Sequence, residues 1–91
     1  MIRDRLTRER AETTGLNGLA FLAGRQDDLE RFLANAGIGP EELRLRAADP
    51  DMLRAVTEFL LTDDVLLSAF CEEHELDPRD VHVAAHELNR P

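Results

Sequence analysis

The chain has no tryptophan, no tyrosine and no lysine, and a single cysteine among its 91 residues. One cysteine cannot form an internal disulfide, so a reducing compartment is the expectation. Aromatic residues make up 4% of the chain, all of them phenylalanine. The core must therefore be mainly aliphatic, and a leucine- and alanine-rich composition favours helices over sheets. Long apolar runs are missing too. None approaches the roughly 20 residues that span a bilayer, so no membrane segment is expected. The opening Met1-Ile2-Arg3-Asp4-Arg5 has no apolar stretch behind it and does not read as a secretory leader. These absences together point to a cytoplasmic protein. No Gly/Ser-rich linker and no long loop interrupts the chain, so residues 1–91 are expected to form one domain.

The charge that is present is lopsided. Net charge is −8, yet the first ten residues carry Arg3, Arg5, Arg8 and Arg10 against Asp4 and Glu9, leaving −10 on the rest. An acidic body argues against a nucleic-acid footprint, which needs a basic patch. Residues 1–12 have few apolar positions and read as a charged, exposed helical arm.

One stretch occurs twice. Phe21, Leu22, Leu29, Phe32, Ile38, Pro40 and Leu43 recur as Phe59, Leu60, Leu67, Phe70, Leu76, Pro78 and Val81, every pair at the same offset along the chain. All four phenylalanines fall into this register. In the first copy Leu29, Phe32, Leu33 and Ala36 lie on one helical face. Asp27 and Asp28 precede them, where capping and negative charge suit free N–H groups. Gly37 follows, the usual residue for a left-handed C-terminus. Gly39-Pro40 and Asp77-Pro78 then place proline at the first helical position. Ile38 with Leu43, and Leu76 with Val81, have the spacing of a hydrophobic staple. The pattern predicts an all-α fold: a compact six-helix bundle of two pseudo-repeated three-helix units, each presenting its Leu and Phe stripe to the other.

In chain order, helix one ends at Gly24 and buries Leu16, Leu19, Ala20, Leu22 and Ala23. Gly15 and Gly18 weaken it by up to about 1 kcal/mol each and mark either a close crossing or a kink. Helix two covers about 27–36. Helix three runs from Pro40 to near Ala48, because Asp49-Pro50 opens helix four, whose inner side holds Leu53, Val56, Phe59 and Leu60. Helix five covers about 64–75 and helix six about 78–89.

The motifs Leu19-Ala20-Phe21-Leu22-Ala23, Leu29-Glu30-Arg31-Phe32, Gly37-Ile38-Gly39-Pro40, Leu43-Arg44, Ala47-Ala48-Asp49-Pro50, Phe59-Leu60-Leu61 and Leu76-Asp77-Pro78 resemble a small alphaproteobacterial family of about ninety-residue proteins, a catalogued domain of unknown function. The resemblance covers about residues 16–88 and rests on apolar and capping residues. It implies a cytosolic helical protein and supplies no catalytic residue.

The sharpest chemical constellation is Cys71, His74, His82 and His86, all within sixteen residues. His82 and His86 are i, i+4 on one helix, and a turn at Asp77-Pro78 would have to bring them to Cys71 and His74 for zinc. Against that, the repeat maps Cys71 onto Leu33 and His74 onto Ala36, core-facing positions, which makes Cys71 a small core hydrophobe. On helix six Val81, Ala84, Ala85 and Leu88 form the core face, with His82 and His86 flanking it. The acid pairs Asp63-Asp64, Glu72-Glu73 and Glu41-Glu42 read as helix-start capping and solvated surface rather than as acid/base pairs. The sequence thus predicts a protein-interaction or adaptor domain without catalytic activity or cofactor. The alternative is a small zinc protein using Cys71, His74, His82 and His86. The contact surface is expected at the ends of the repeat, with Val83 on helix six and Ile2 and Leu6 on helix one. Arg3, Arg5, Arg8 and Arg10 would meet either a protein partner or Glu72, Glu73 and Glu75 of a second copy.

Overall fold

The computed structural model describes the backbone of residues 2–90 and the side chains of residues 7–90. Six helices follow one another: α1 (Ile2–Ala23), α2 (Gln26–Ala36), α3 (Pro40–Leu45), α4 (Pro50–Leu61), α5 (Asp64–His74) and α6 (Pro78–Leu88). No strand occurs among the described residues. The Cα radius of gyration, 12.4 Å, is what a single body of this length should have.

Local chemistry explains most of the helix bounds. The side chains of Asp49, Asp63 and Asp77 accept the N–H groups of Asp51 at 3.1 Å, Leu66 at 3.0 Å and Arg79 at 2.8 Å. Asp80 completes a capping box by accepting the Asp77 N–H at 2.9 Å. Pro40, Pro50 and Pro78 all stand in the first turn of their helices. Gly37 closes α2 at φ 72°, and the Ile38 N–H reaches back to the Leu33 carbonyl at 3.1 Å. Its counterpart in the second copy, Glu75, closes α5 in the same left-handed region at φ 55°, with the Leu76 N–H on the Cys71 carbonyl at 2.8 Å.

Two helix ends differ from the sequence reading. The N-cap of α2 is Arg25, which makes no side-chain cap, so Asp27 and Asp28 lie inside the first turn and act on the free N–H groups through charge alone. Helix α3 stops at Leu45 rather than near Ala48, because the chain turns through an Asp49 N–H to Arg46 carbonyl bond of 3.0 Å into the α4 cap.

The four phenylalanines are buried and pair across the two units. Phe21 of α1 meets Phe70 of α5 with ring centroids 5.4 Å apart, and Phe32 of α2 meets Phe59 of α4 at 5.5 Å. Leu22, Val56, Leu60, Leu66 and Val81 complete this core. A second, smaller cluster of Ala11, Leu53, Ala84 and Leu88 joins α1, α4 and α6.

The buried face of α1 is not the expected one. Leu16 is 44% exposed, Ala20 and Ala23 are exposed and Leu19 is half-buried. Ala11, Gly15, Gly18 and Leu22, spaced by four, three and four, turn inward instead. The reason is a close crossing with α4. A Cβ on Gly15 would stand 2.8 Å from Leu53 Cβ, and one on Gly18 would stand 3.0 Å from Val56 Cγ1. A leucine in place of either glycine would hold the helices apart, so the glycines settle the face.

The three-helix units do not close as equals. Helices α1, α4 and α6 pack on one another, α2 and α5 flank them, and α3 buries no residue. The two ends of the repeat, expected to have only one neighbour each, lie side by side as α1 and α6.

Candidate functional site

The packing of α1 on α6 leaves a cleft of about 180 Å³ between them. One wall is a face of α1 carrying Arg10, Ala11 and Thr14, spaced i, i+1 and i+4. The other is a face of α6 carrying Arg79, Asp80, Val83 and Ala84. Ala11 and Ala84 form a buried floor, while Val83 remains 48% exposed above it. The α6 wall is held by its capping box, and α1 is held by the Arg8 guanidinium, which donates to the Glu87 carbonyl at 2.8 Å. Helix α1 therefore does not project as a free arm over residues 7–12: Ala11 is 2% exposed and Arg8 is tied to α6. The side chains of Ile2, Arg3, Arg5 and Leu6, for which the sequence suggests contact roles, lie outside the described residues.

The sequence-predicted zinc quartet is not assembled. Among the described residues no three His, Cys, Asp or Glu side chains come together as a metal site. Cys71 is buried in the phenylalanine core, and His82 and His86 are exposed on α6 opposite Val81, Ala84 and Leu88. The turn at Asp77-Pro78 brings α5 next to α6 without turning those faces toward each other. Burial first, and then the charges of Asp77 and Asp80, push the Cys71 thiol above its ordinary range. That environment disfavours the thiolate that metal binding and nucleophilic attack require. His74 is half-buried with its ring 4.9 Å from Phe70. Its Nε2 lies 3.6 Å from Glu73 Oε2, an ion-pair distance that is too long for a hydrogen bond, and the atom is buried without one.

The acid pairs are also spent on structure or lie in solvent. Asp63 caps α5 and receives Arg31 at 3.0 Å; the Leu66 N–H and then Arg31 hold its carboxyl below the ordinary value. Glu41 and Glu42 pair with Arg44 at 3.4 Å and Arg46 at 3.1 Å. Asp64, Glu72, Glu73 and Glu75 are exposed, and none of these side chains lines the cleft. Sequence reasoning placed Arg10 in an arm and assigned Arg79 no role. Their positions within each helix face were readable, but nothing local says that the two faces meet.

The fold and this site define a small all-α domain whose reactive side chains are dispersed and whose cleft lies between two helices. Residues 8–91 match the sequence profile of a family described as protein of unknown function, DUF3572, and the chain belongs to that family. No curated protein and no solved structure matches it.

Proposed function

We propose that the protein is a cytoplasmic protein-interaction domain without catalytic activity. The observation that carries this reading is the α1–α6 cleft, an open trough whose walls are single faces of two helices with an apolar floor. Such a trough suits an extended or helical segment of another protein. Two further features support it. The nucleophile and the histidines do not converge on the cleft, as an enzyme site would require. Among the described residues no helix is long and apolar enough to cross a membrane. A foreign partner fits better than a second copy reached by a basic arm, because Arg8 is already engaged with α6. Nucleic acid is disfavoured by the net charge of −8.

Affinity capture from an extract of the native host tests the proposal, using the full chain and Val83→Glu side by side. Val83 is half exposed, so the substitution leaves the fold intact, which circular dichroism checks. The expected outcome is a protein retained by the wild type and lost with the variant. Identical captures with both would refute the cleft as the contact surface.

A further inference from the structure

Nine arginines have described side chains, and seven of them are engaged. Arg8 meets Glu12 and the Glu87 carbonyl, Arg25 meets Asp28, and Arg31 meets Asp28 and Asp63. Arg44 meets Glu41, Arg46 meets Glu42 and Asp49, Arg54 donates to Asn89 and Arg90 meets Glu87. Arg10 and Arg79 are the two left over, with no side-chain ion pair or hydrogen bond among the described residues. Both line the α1–α6 cleft. With 19 carboxylates for 11 arginines, partners are in excess, so two unpaired guanidinium groups in one place are a property of that place. Asp80 also lines the cleft, so its charged lining is two guanidinium groups to one carboxylate, one oxygen of which accepts the Asp77 N–H at 2.9 Å.

The size of the cleft narrows the occupant. A volume of about 150 Å³ accepts a benzene ring, whereas cofactor and drug-sized ligands take about 300–1,000 Å³. At about 180 Å³ this cleft holds one apolar side chain. Arg10 and Arg79 outnumber Asp80 in its charged lining, and that surplus of positive charge decides what flanks the side chain. A nucleic acid brings a row of phosphates and needs a basic track, which an acidic body does not offer. One or two carboxylates match two guanidinium forks.

We propose that the cleft docks an acidic segment of a partner protein. One apolar side chain of that segment seats against Ala11, Val83 and Ala84, and flanking Asp or Glu carboxylates reach Arg10 and Arg79. The proposal rests on the protein-interaction reading and adds the chemistry of the partner. Because both arginines are exposed, their contribution is sensitive to salt.

Fluorescence anisotropy with a labelled peptide, Gly-Glu-Glu-Leu-Glu-Glu-Gly, tests it on the full chain at low salt. Saturable binding is expected, weakened about tenfold or more by Arg10→Glu or Arg79→Glu. Arg44→Ala, outside the cleft, should leave binding unchanged. A peptide with lysine in place of glutamate should bind the double variant Arg10→Glu/Arg79→Glu better than the wild type. Equal binding of a glutamine version by the wild type, or of the glutamate peptide by the double variant, would overturn the proposal. Displacement by inorganic phosphate at concentrations where acetate is inert would reassign the cleft to phosphate and overturn the carboxylate. A wild-type dimer that the peptide dissociates in light scattering would make a second copy the occupant and overturn the foreign partner. If the peptide does not bind while a host protein is still lost with Val83→Glu, the acidic chemistry falls and the interaction domain stands. If that capture fails as well, both fall.

Discussion

Helices α3 and α6 begin alike and end differently. Each starts with proline after an N-cap, flanked by an apolar pair: Ile38 and Leu43 for α3, Leu76 and Val81 for α6. Beyond the first turn the faces part. Where α6 has Val81, Ala84, Ala85 and Leu88, the same register in the first unit has Leu43, Arg46, Ala47 and Pro50. Arg46 is held by Glu42 and then Asp49, which raise its pKa, and Pro50 belongs to the next helix. Helix α6 buries four residues and α3 buries none.

Place matters as much as face. Gly15 approaches Leu53 and Gly18 approaches Val56, and both pairs have the offset that separates Phe21 from Phe59. Where α1 crosses α4, these residues therefore meet the residues at the matching register position. Helix α6 packs on both members of this pair, which leaves no room there for α3. One helix can be seated there, and the one with the apolar face takes it. The lesson is that two stretches alike in sequence can share one layer, here the four phenylalanines, while their third helices pack differently.

The shared layer should show the largest effects. Phe32→Ala and Phe70→Ala should each destabilise by about 3–5 kcal/mol in urea unfolding. A difference of more than about 2 kcal/mol between them would break the equivalence of the layer. The third helices should then separate sharply. Leu88→Ala should cost about 2–5 kcal/mol, whereas Leu45→Ala, at a residue 80% exposed on α3, should stay within about 0.5 kcal/mol. Similar losses at both would show that α3 is packed after all.

At the crossing, Gly15→Ala should destabilise by about 1–2 kcal/mol net, although alanine is the better helix former. Shortening Leu53 to alanine should not relieve it, because the atom in the way is Leu53 Cβ. A stabilised Gly15→Ala would mean that the helices do not cross so closely. The two C-caps give a smaller, signed test. Gly37→Ala should lose about 1 kcal/mol, and Glu75→Gly should gain up to about 1 kcal/mol, because both positions lie at positive φ. Opposite signs in a thermal melt would argue against the shared left-handed cap.

The smallest effect concerns Asp63, whose counterpart is Arg25, a cap without a side-chain bond. The folded-state pKa of Asp63 lies below its ordinary 3.8, so its contribution is present above that pH and lost as pH falls through the folded value. The stability gap between wild type and Asp63→Asn should therefore narrow on acidification below about pH 4. A gap that widens there would reverse the sign of the argument.

The helix count, the prolines at helix starts, the Asp49 and Asp77 caps and the inner faces of α4 and α6 were legible, because each is settled by residues within a turn or two of one another. Cys71 as a core residue was legible from its register with Leu33. The buried face of α1 was not. Leucines outrank glycines in any periodicity count, and only the neighbouring helix shows that glycine is what fits. The ends of the repeat were misread for a similar reason: a linear pattern says which helices come last, not that they meet.

The sequence by itself determined an acidic all-helical chain with its proline-led helix starts and its four-phenylalanine register, since capping, proline and periodicity act locally. Only the tertiary structure decided which third helix is seated, which face of α1 turns inward, and that Arg10 and Arg79, near opposite ends of the chain, share one cleft. Those outcomes depend on which surfaces exclude each other from the same space, and that competition exists only between helices already folded.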